Sequence, residues 1–177
     1  DESGSSIPDG YARWLKTNTL KQKQSEYHSV FITLEAGDIT SNQITALATI
    51  IREFSSEGYA RAGFVQNIAL RYVHDDDLTR LYSKLLTVGL AKSGALTMAA
   101  PIGCSGTTSC NLALTNSHRL AKEIQRKFLE LKLDQDDDLR DSSIKISGCP
   151  NACGQHGIAT IGFFGGGGRV GKEMYPN

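Results

Sequence analysis

From His28 onward, apolar positions follow two spacings: a period of two, which marks strands, and a period near 3.6, which marks helices. Val30, Ile32 and Leu34 interleave with Phe31 and Thr33 as a strand, closed by Ala36-Gly37-Asp38. Thr40 with Gln43 three residues on forms a capping-box signature, and Ile44, Leu47, Ala48, Ile51 and Phe54 fall on one helical face before Gly58 stops it. Residues 59–65 and 68–73 read as two further strands, the second with Ile68, Leu70 and Tyr72 alternating against Ala69, Arg71 and Val73. Asp75, Asp76 and Asp77 then supply an N-cap and negative charge at the positive end of a helix dipole. Leu78, Leu81, Tyr82, Leu85 and Leu86 form that helix's buried stripe, and Gly89 is its stop. The order is β-α-β-β-α.

A second unit begins after Gly94. Its first strand is expected at 95–102, running into Gly103-Cys104, and a long helix at 109–132, with Ala113, Leu120, Ala121, Ile124, Phe128 and Leu131 at helical spacing. After an acidic loop at 134–141, Ile144 and Ile146 alternate with Lys145 and Ser147 in a strand that enters Gly148-Cys149. Residues 158–164 give one more strand, and 165–168 a glycine-rich turn without the spacing or following helix of a nucleotide loop. This unit reads as β-α-β-β. Residues 1–27, with apolar side chains only at scattered places such as Tyr11, Trp14, Leu15 and Leu20, read as an extended arm.

With 177 residues, 40% hydrophobic and 21% charged, the chain has the composition of a folded globular protein of one domain or two small ones. Lys plus Arg and Asp plus Glu both number 19, which leaves no global attraction to nucleic acid or an anionic membrane, so any anion site must be local. No apolar run approaches the roughly 18 residues of a membrane span, and the first ten residues lack a signal-peptide pattern, so a cytoplasmic location is expected. The aspartate runs at 75–77 and 136–138 lack EF-hand spacing and read as a helix cap and a solvated loop. A start at Asp1 and an end just after a glycine-rich stretch give the expectation of an excised piece.

The candidate chemistry lies in four cysteines, all in the second unit: Cys104 and Cys110 with five residues between them, and Cys149 and Cys153 with three. Gly103, Ser105 and Gly106 frame the first pair; Gly148, Pro150, Asn151 and Gly154 frame the second. Thiolate clusters need backbone N–H groups close to sulfur, and glycine lets the chain approach without a Cβ clash. Spacing alone leaves three readings: a four-iron cluster, a structural zinc on all four thiolates, or two disulfides. The five-residue gap departs from ordinary zinc spacing, and a chain with a full core needs no disulfide staples.

Cys104-Ser-Gly-Thr-Thr-Ser-Cys110 and Ser147-Gly-Cys149-Pro-Asn-Ala-Cys153-Gly-Gln-His156 together closely resemble the cluster-binding signature of the sirohaem-dependent sulfite and nitrite reductases. The likeness includes Asn111-Leu112-Ala113 and extends upstream to Trp14-Leu15-Lys16-Thr17-Asn18 and to the strand pair around Arg61, ending at Gln66-Asn67. It implies an α+β fold: an arm at 1–27, a ferredoxin-like half-domain at 28–92, and an α/β sirohaem- and [4Fe–4S]-binding domain at 93–177, truncated at its C-terminus. It implies an oxidoreductase that reduces sulfite to sulfide or nitrite to ammonia by six-electron transfer, with ferredoxin or a flavoprotein as donor. Cys104, Cys110, Cys149 and Cys153 would hold the cluster, Cys153 would also bridge to the sirohaem iron, and Asn151 would lie against the cofactor.

The same resemblance makes this chain the second half of a pseudo-twofold enzyme, with the N-terminal half of the same enzyme as its partner and the isolated piece inactive. Sirohaem and its substrates are anionic, and no concentration of Arg and Lys that would neutralise them is visible, so no catalytic side chain is assigned. Arg61, Arg71, His118, Arg119, Lys145 and Arg169 are local candidates for its carboxylates. Gly63 stands where the family commonly has a threonine, which removes a hydroxyl contact. The alternative is a four-cysteine zinc or iron interaction domain without catalysis.

Overall fold

A computed structural model describes residues 8–63, 65–171 and 173–176. The chain divides into two compact units, Asp1–Ala95 and Leu96–Asn177. The break falls three residues beyond the expected boundary between 92 and 93.

The first unit is a four-stranded antiparallel sheet covered by helices. In chain order it holds α1 (Tyr11–Asn18), β1 (Thr19–Lys21), β2 (Tyr27–Thr33), α2 (Ser41–Phe54), β3 (Ala60–Ala62), β4 (Asn67–His74) and α3 (Leu78–Thr87), with strand order β1-β2-β4-β3. The segment expected as an extended arm is therefore built in: Thr19–Lys21 pairs with β2, and Trp14 is fully buried beside Tyr11 and Tyr82, at ring-centroid distances of 6.1 and 5.2 Å. An eight-residue helix is too short to display a period, and this hid it in the sequence. Residues 1–7 of the expected arm and Phe64 of the expected strand at 59–65 lie outside the described residues.

Two local signals in this unit meet different fates. The Thr40 capping box forms, with the Gln43 N–H donating to Thr40 Oγ1 at 3.3 Å and Gln43 Oε1 accepting from the Thr40 N–H at 3.1 Å. Asp77 stands at the N-cap of α3 but makes no side-chain bond to it; Asp75–Asp77 form a 3-10 turn in which the Asp76 N–H donates to the His74 ring, while Asp75 pairs with His28 at 2.7 Å and Asp77 with Arg80 at 2.7 Å. The alternation expected along β4 also fails. Leu70 and Val73, three residues apart, are both fully buried. Between them the pairing moves from Val30↔Leu70 to His28↔Val73, so β4 carries one extra residue, and Tyr72 adopts a left-handed φ of 52°. A bulge of this kind bends the strand and keeps both side chains on the core face.

In the second unit, β5 (Ile102–Gly103), α4 (Ser117–Glu130), β6 (Ile144–Ser147) and β7 (Ile161–Phe164) form a three-stranded parallel sheet, β5-β6-β7, with its crossover helix; β8 (Gly167–Val170) and β9 (Glu173–Pro176) form a hairpin. The strand expected at 95–102 contracts to two residues, and the glycine turn expected at 165–168 runs into β8. The long helix starts at Ser117, not near 109, where the Asn116 side chain accepts from the Arg119 N–H at 2.9 Å. Its buried positions are Ser117, Ala121 and Gln125. Leu120 and Leu131 are exposed and, with Ile124, Phe128 and Leu133, line an apolar groove of about 360 Å³ on its outer side. Small residues set that orientation: a Cβ at Gly103 would come within 2.9 Å of Ala121, so helix and strand meet closely only on this face. Among the described residues no helix is long and apolar enough to cross a membrane.

Candidate functional site

β5 and β6 are parallel neighbours, Cys104 directly follows β5 and Gly148-Cys149 directly follows β6, so both cysteine loops leave the sheet at the same end. The Cys104 N–H donates to the Ile146 carbonyl at 3.0 Å, and the Gly148 N–H donates to Cys104 Sγ at 3.1 Å. The chain beyond Cys104 then turns back on Gly148, whose carbonyl accepts from the Leu114 and Thr115 N–H groups at 2.8 and 3.0 Å. Gly148 is required by this approach: a Cβ there would stand 2.8 Å from the Thr115 carbonyl and 2.9 Å from Gly106 Cα. The two cysteine-bearing loops are thus packed backbone against backbone. Cys110 lies in the same wrap, its N–H on the Gly106 carbonyl at 3.0 Å.

All four cysteines are free thiols; Cys149 is buried, Cys104 and Cys110 are half-buried, and Cys153 is exposed. Burial pushes the Cys104 thiol up, but hydrogen bonds from the Ser117 hydroxyl and from the Gly148 and Gly106 N–H groups outweigh it and leave the group below the ordinary thiol value. Ser117 Oγ donates to the Cys104 carbonyl at 2.8 Å and lies 3.1 Å from its sulfur. Among the described residues, no three His, Cys, Asp or Glu side chains converge on a point that could hold one ion.

The second turn is held from below. Ser147, fully buried at the end of β6, accepts from the Gly154 N–H at 3.1 Å and pairs with His156 Nδ1 at 2.9 Å. Lys145, also buried, donates from Nζ to Gln155 Oε1 at 2.8 Å. Ala152 and Gln155 both have left-handed φ, 60° and 59°, and Asn151 is exposed at the tip of the turn. Sequence reasoning named the cysteines and their glycines but gave no role to Ser117 or Ser147. Ser147 abuts a cysteine turn in the sequence, the one signal that would have found it; Ser117, seven residues past Cys110, carries no such signal.

The basic candidates are distributed differently from the cysteines. Arg61 and Arg71 belong to the first unit, where Arg61 pairs with Glu57 and lies over the Tyr59 ring, and Arg71 lies over Tyr72. In the second unit His118 and Arg119 stand in the first turn of α4, Lys145 is engaged internally, and Arg169 donates to the Gly171 carbonyl at 3.0 Å. The donor set still fits an iron–sulfur group: soft thiols on two glycine-framed turns at one end of the sheet, an N–H and a hydroxyl on one sulfur, and Cys153 open to a second group.

Residues 20–88 match the family model for the nitrite/sulfite reductase ferredoxin-like half domain. The chain is similar to the ferredoxin–nitrite reductase of Synechococcus elongatus, with 30% identity over 155 residues, 86% of this chain and 29% of the relative. It is also similar to the sulfite reductase [NADPH] hemoprotein beta-component of Bacillus subtilis, with 28% identity over 138 residues, 75% of this chain and 24% of the relative. The solved structure of the Mycobacterium tuberculosis NirA protein shares the fold at a TM-score of 0.67 and 23% identity, over 90% of this chain and 29% of that one. The chain therefore spans less than a third of the length of these relatives.

Proposed function

We propose that this chain supplies the [4Fe–4S]- and sirohaem-binding part of a reductase acting on sulfite or nitrite. Cys104, Cys110, Cys149 and Cys153 would each take one iron of the cluster, and the exposed Cys153 would also serve the sirohaem iron, with Asn151 beside it. The bound groups supply the electron transfer. The residues of the chain hold and orient them: Gly148 N–H and Ser117 Oγ bear on one ligand sulfur, and Ser147 and Lys145 hold the turn that ends at the shared ligand. Electrons would come from a ferredoxin or flavoprotein, and the anion-binding Arg and Lys from the N-terminal half of the enzyme, without which this part is inactive.

The observation that carries this reading is the Gly148 N–H on Cys104 Sγ at 3.1 Å, which places the beginnings of both cysteine loops in contact. Anaerobic reconstitution with ferrous iron and sulfide tests it. Uptake of about four irons and four sulfides per chain, with brown colour lost on oxidation, is expected. A colourless protein holding one zinc, or four thiols that leave iron in solution, overturns it, and the zinc result favours the four-cysteine interaction domain instead.

A further inference from the structure

The middle strand of the parallel sheet, β6, is buried at all four of its positions, including Lys145 and Ser147. Ile144 and Ile146 account for one face by ordinary packing. The opposite face is polar, and a lysine amine under a sheet is costly unless it is bonded there. Lys145 Nζ has a specific acceptor, Gln155 Oε1 at 2.8 Å, two residues past Cys153. Gln155 holds a left-handed φ of 59°, a conformation that an L residue with a Cβ adopts only at a cost and keeps when its surroundings hold it. Nearby, Lys145 pairs in register with Gly162 on β7, and a Cβ at Gly162 would run into the His156 carbonyl. The backbone after Cys153 thus folds down over this part of the sheet, with room made by a glycine on one strand and a hydrogen bond offered by a lysine on the next.

We propose that Lys145 is a positioning residue: through Gln155 it fixes the exit of the chain from Cys153 and so sets how that thiol is presented. The inference rests on the cluster-binding reading above. It gives Lys145 a role that does not depend on contact with a cofactor carboxylate.

The test uses the full chain, reconstituted anaerobically with ferrous iron and sulfide, in five forms: wild type, Lys145→Met, Lys145→Arg, Gln155→Met and the Lys145→Met/Gln155→Met double variant. Iron release to a ferrous chelator and the EPR spectrum of the dithionite-reduced protein are read, with circular dichroism as the check on folding. Loss of an outer partner of a metal ligand typically costs about 10-fold or more, so both single Met variants should release iron about tenfold faster, with altered g values. The double variant should be no worse than either single, because both break the same bond, and Lys145→Arg should recover most of the loss. Wild-type release and an unchanged spectrum in folded Lys145→Met overturn the inference while leaving the cluster reading intact, as does a double variant whose effect is the product of the singles. Should Lys145→Met not fold, Gln155→Met alone decides between these outcomes. A wild-type chain that takes up no iron overturns both readings.

Discussion

Replacing Asn18 by alanine removes the polar centre of the first unit. Asn18 is fully buried at the end of α1. Its Nδ2 donates to the Phe31 carbonyl at 2.9 Å, to Thr33 Oγ1 at 3.2 Å and to the Lys92 carbonyl at 2.9 Å. Its Oδ1 accepts from the Gly94 N–H at 2.9 Å, the Ala95 N–H at 3.3 Å and Thr17 Oγ1 at 2.9 Å. One side chain thereby ties the first helix to β2 and to the segment that closes the unit. Three of these partners have substitutes, since Thr17 Oγ1 also accepts from Gly94 N–H at 2.8 Å and donates to the Arg13 carbonyl at 3.0 Å, and Thr33 Oγ1 also donates to the Lys92 carbonyl at 3.1 Å. With about 1 kcal/mol for each neutral bond that is not backed up, and more where a buried group is left bare, Asn18→Ala should cost about 3–5 kcal/mol. Asn18→Asp should cost at least as much at neutral pH, because a carboxylate would face the Phe31 and Lys92 carbonyl oxygens. Trp14 is the sole tryptophan and is fully buried in this unit, so urea unfolding followed by its fluorescence reads the loss directly. A loss below about 1 kcal/mol for Asn18→Ala would refute the reasoning.

Other expectations follow from contacts of the same kind. Gly148→Ala puts a methyl within 3 Å of the Thr115 carbonyl and Gly106 Cα, so it should lower protection of the Leu114 and Thr115 amides in hydrogen exchange and cost about 1–3 kcal/mol. Ser147→Ala leaves the Gly154 N–H and the His156 ring without their shared partner; a loss of about 2 kcal/mol, seen first as faster exchange at Gly154, is expected. Thr40→Ala breaks the capping box and should lower the urea midpoint followed by Trp14 fluorescence, by about 1 kcal/mol in stability.

How much of this was legible depended on whether a signal was local. The Thr40 cap is fixed by neighbours in sequence and could be read there; the glycines around the cysteines could be read too, but the close approaches that require Gly103 and Gly148 come from residues far along the chain. The bulge at Tyr72 could not, because one added residue preserves composition while breaking the period on which the strand pattern rests. The start of α4 eludes the pattern for a related reason: Ala113 continues the helical spacing of Leu120 and Ile124, but 104–116 is committed to wrapping Gly148. Lys145 reads as the polar side of an alternating strand and a candidate for a carboxylate contact, since its burial and its bond to Gln155 depend on a loop folding back over the sheet. The helix α1 was hidden by shortness, although its closing residues, Thr17 and Asn18, make the densest polar contacts of the first unit.

The two-residue ladder between β5 and β6 has a consequence for biogenesis. Only Ile102↔Lys145 and Gly103↔Ile146 join these strands, and Cys104 and Cys149 are about 45 positions apart in the chain. During synthesis the first two thiols emerge well before the strand that brings them their neighbours, and closing so long a loop must precede any grip on a shared group. On the cluster-binding proposal, delivery of the shared group waits until the ribosome has passed Cys153, with Cys104 and Cys110 already exposed before then.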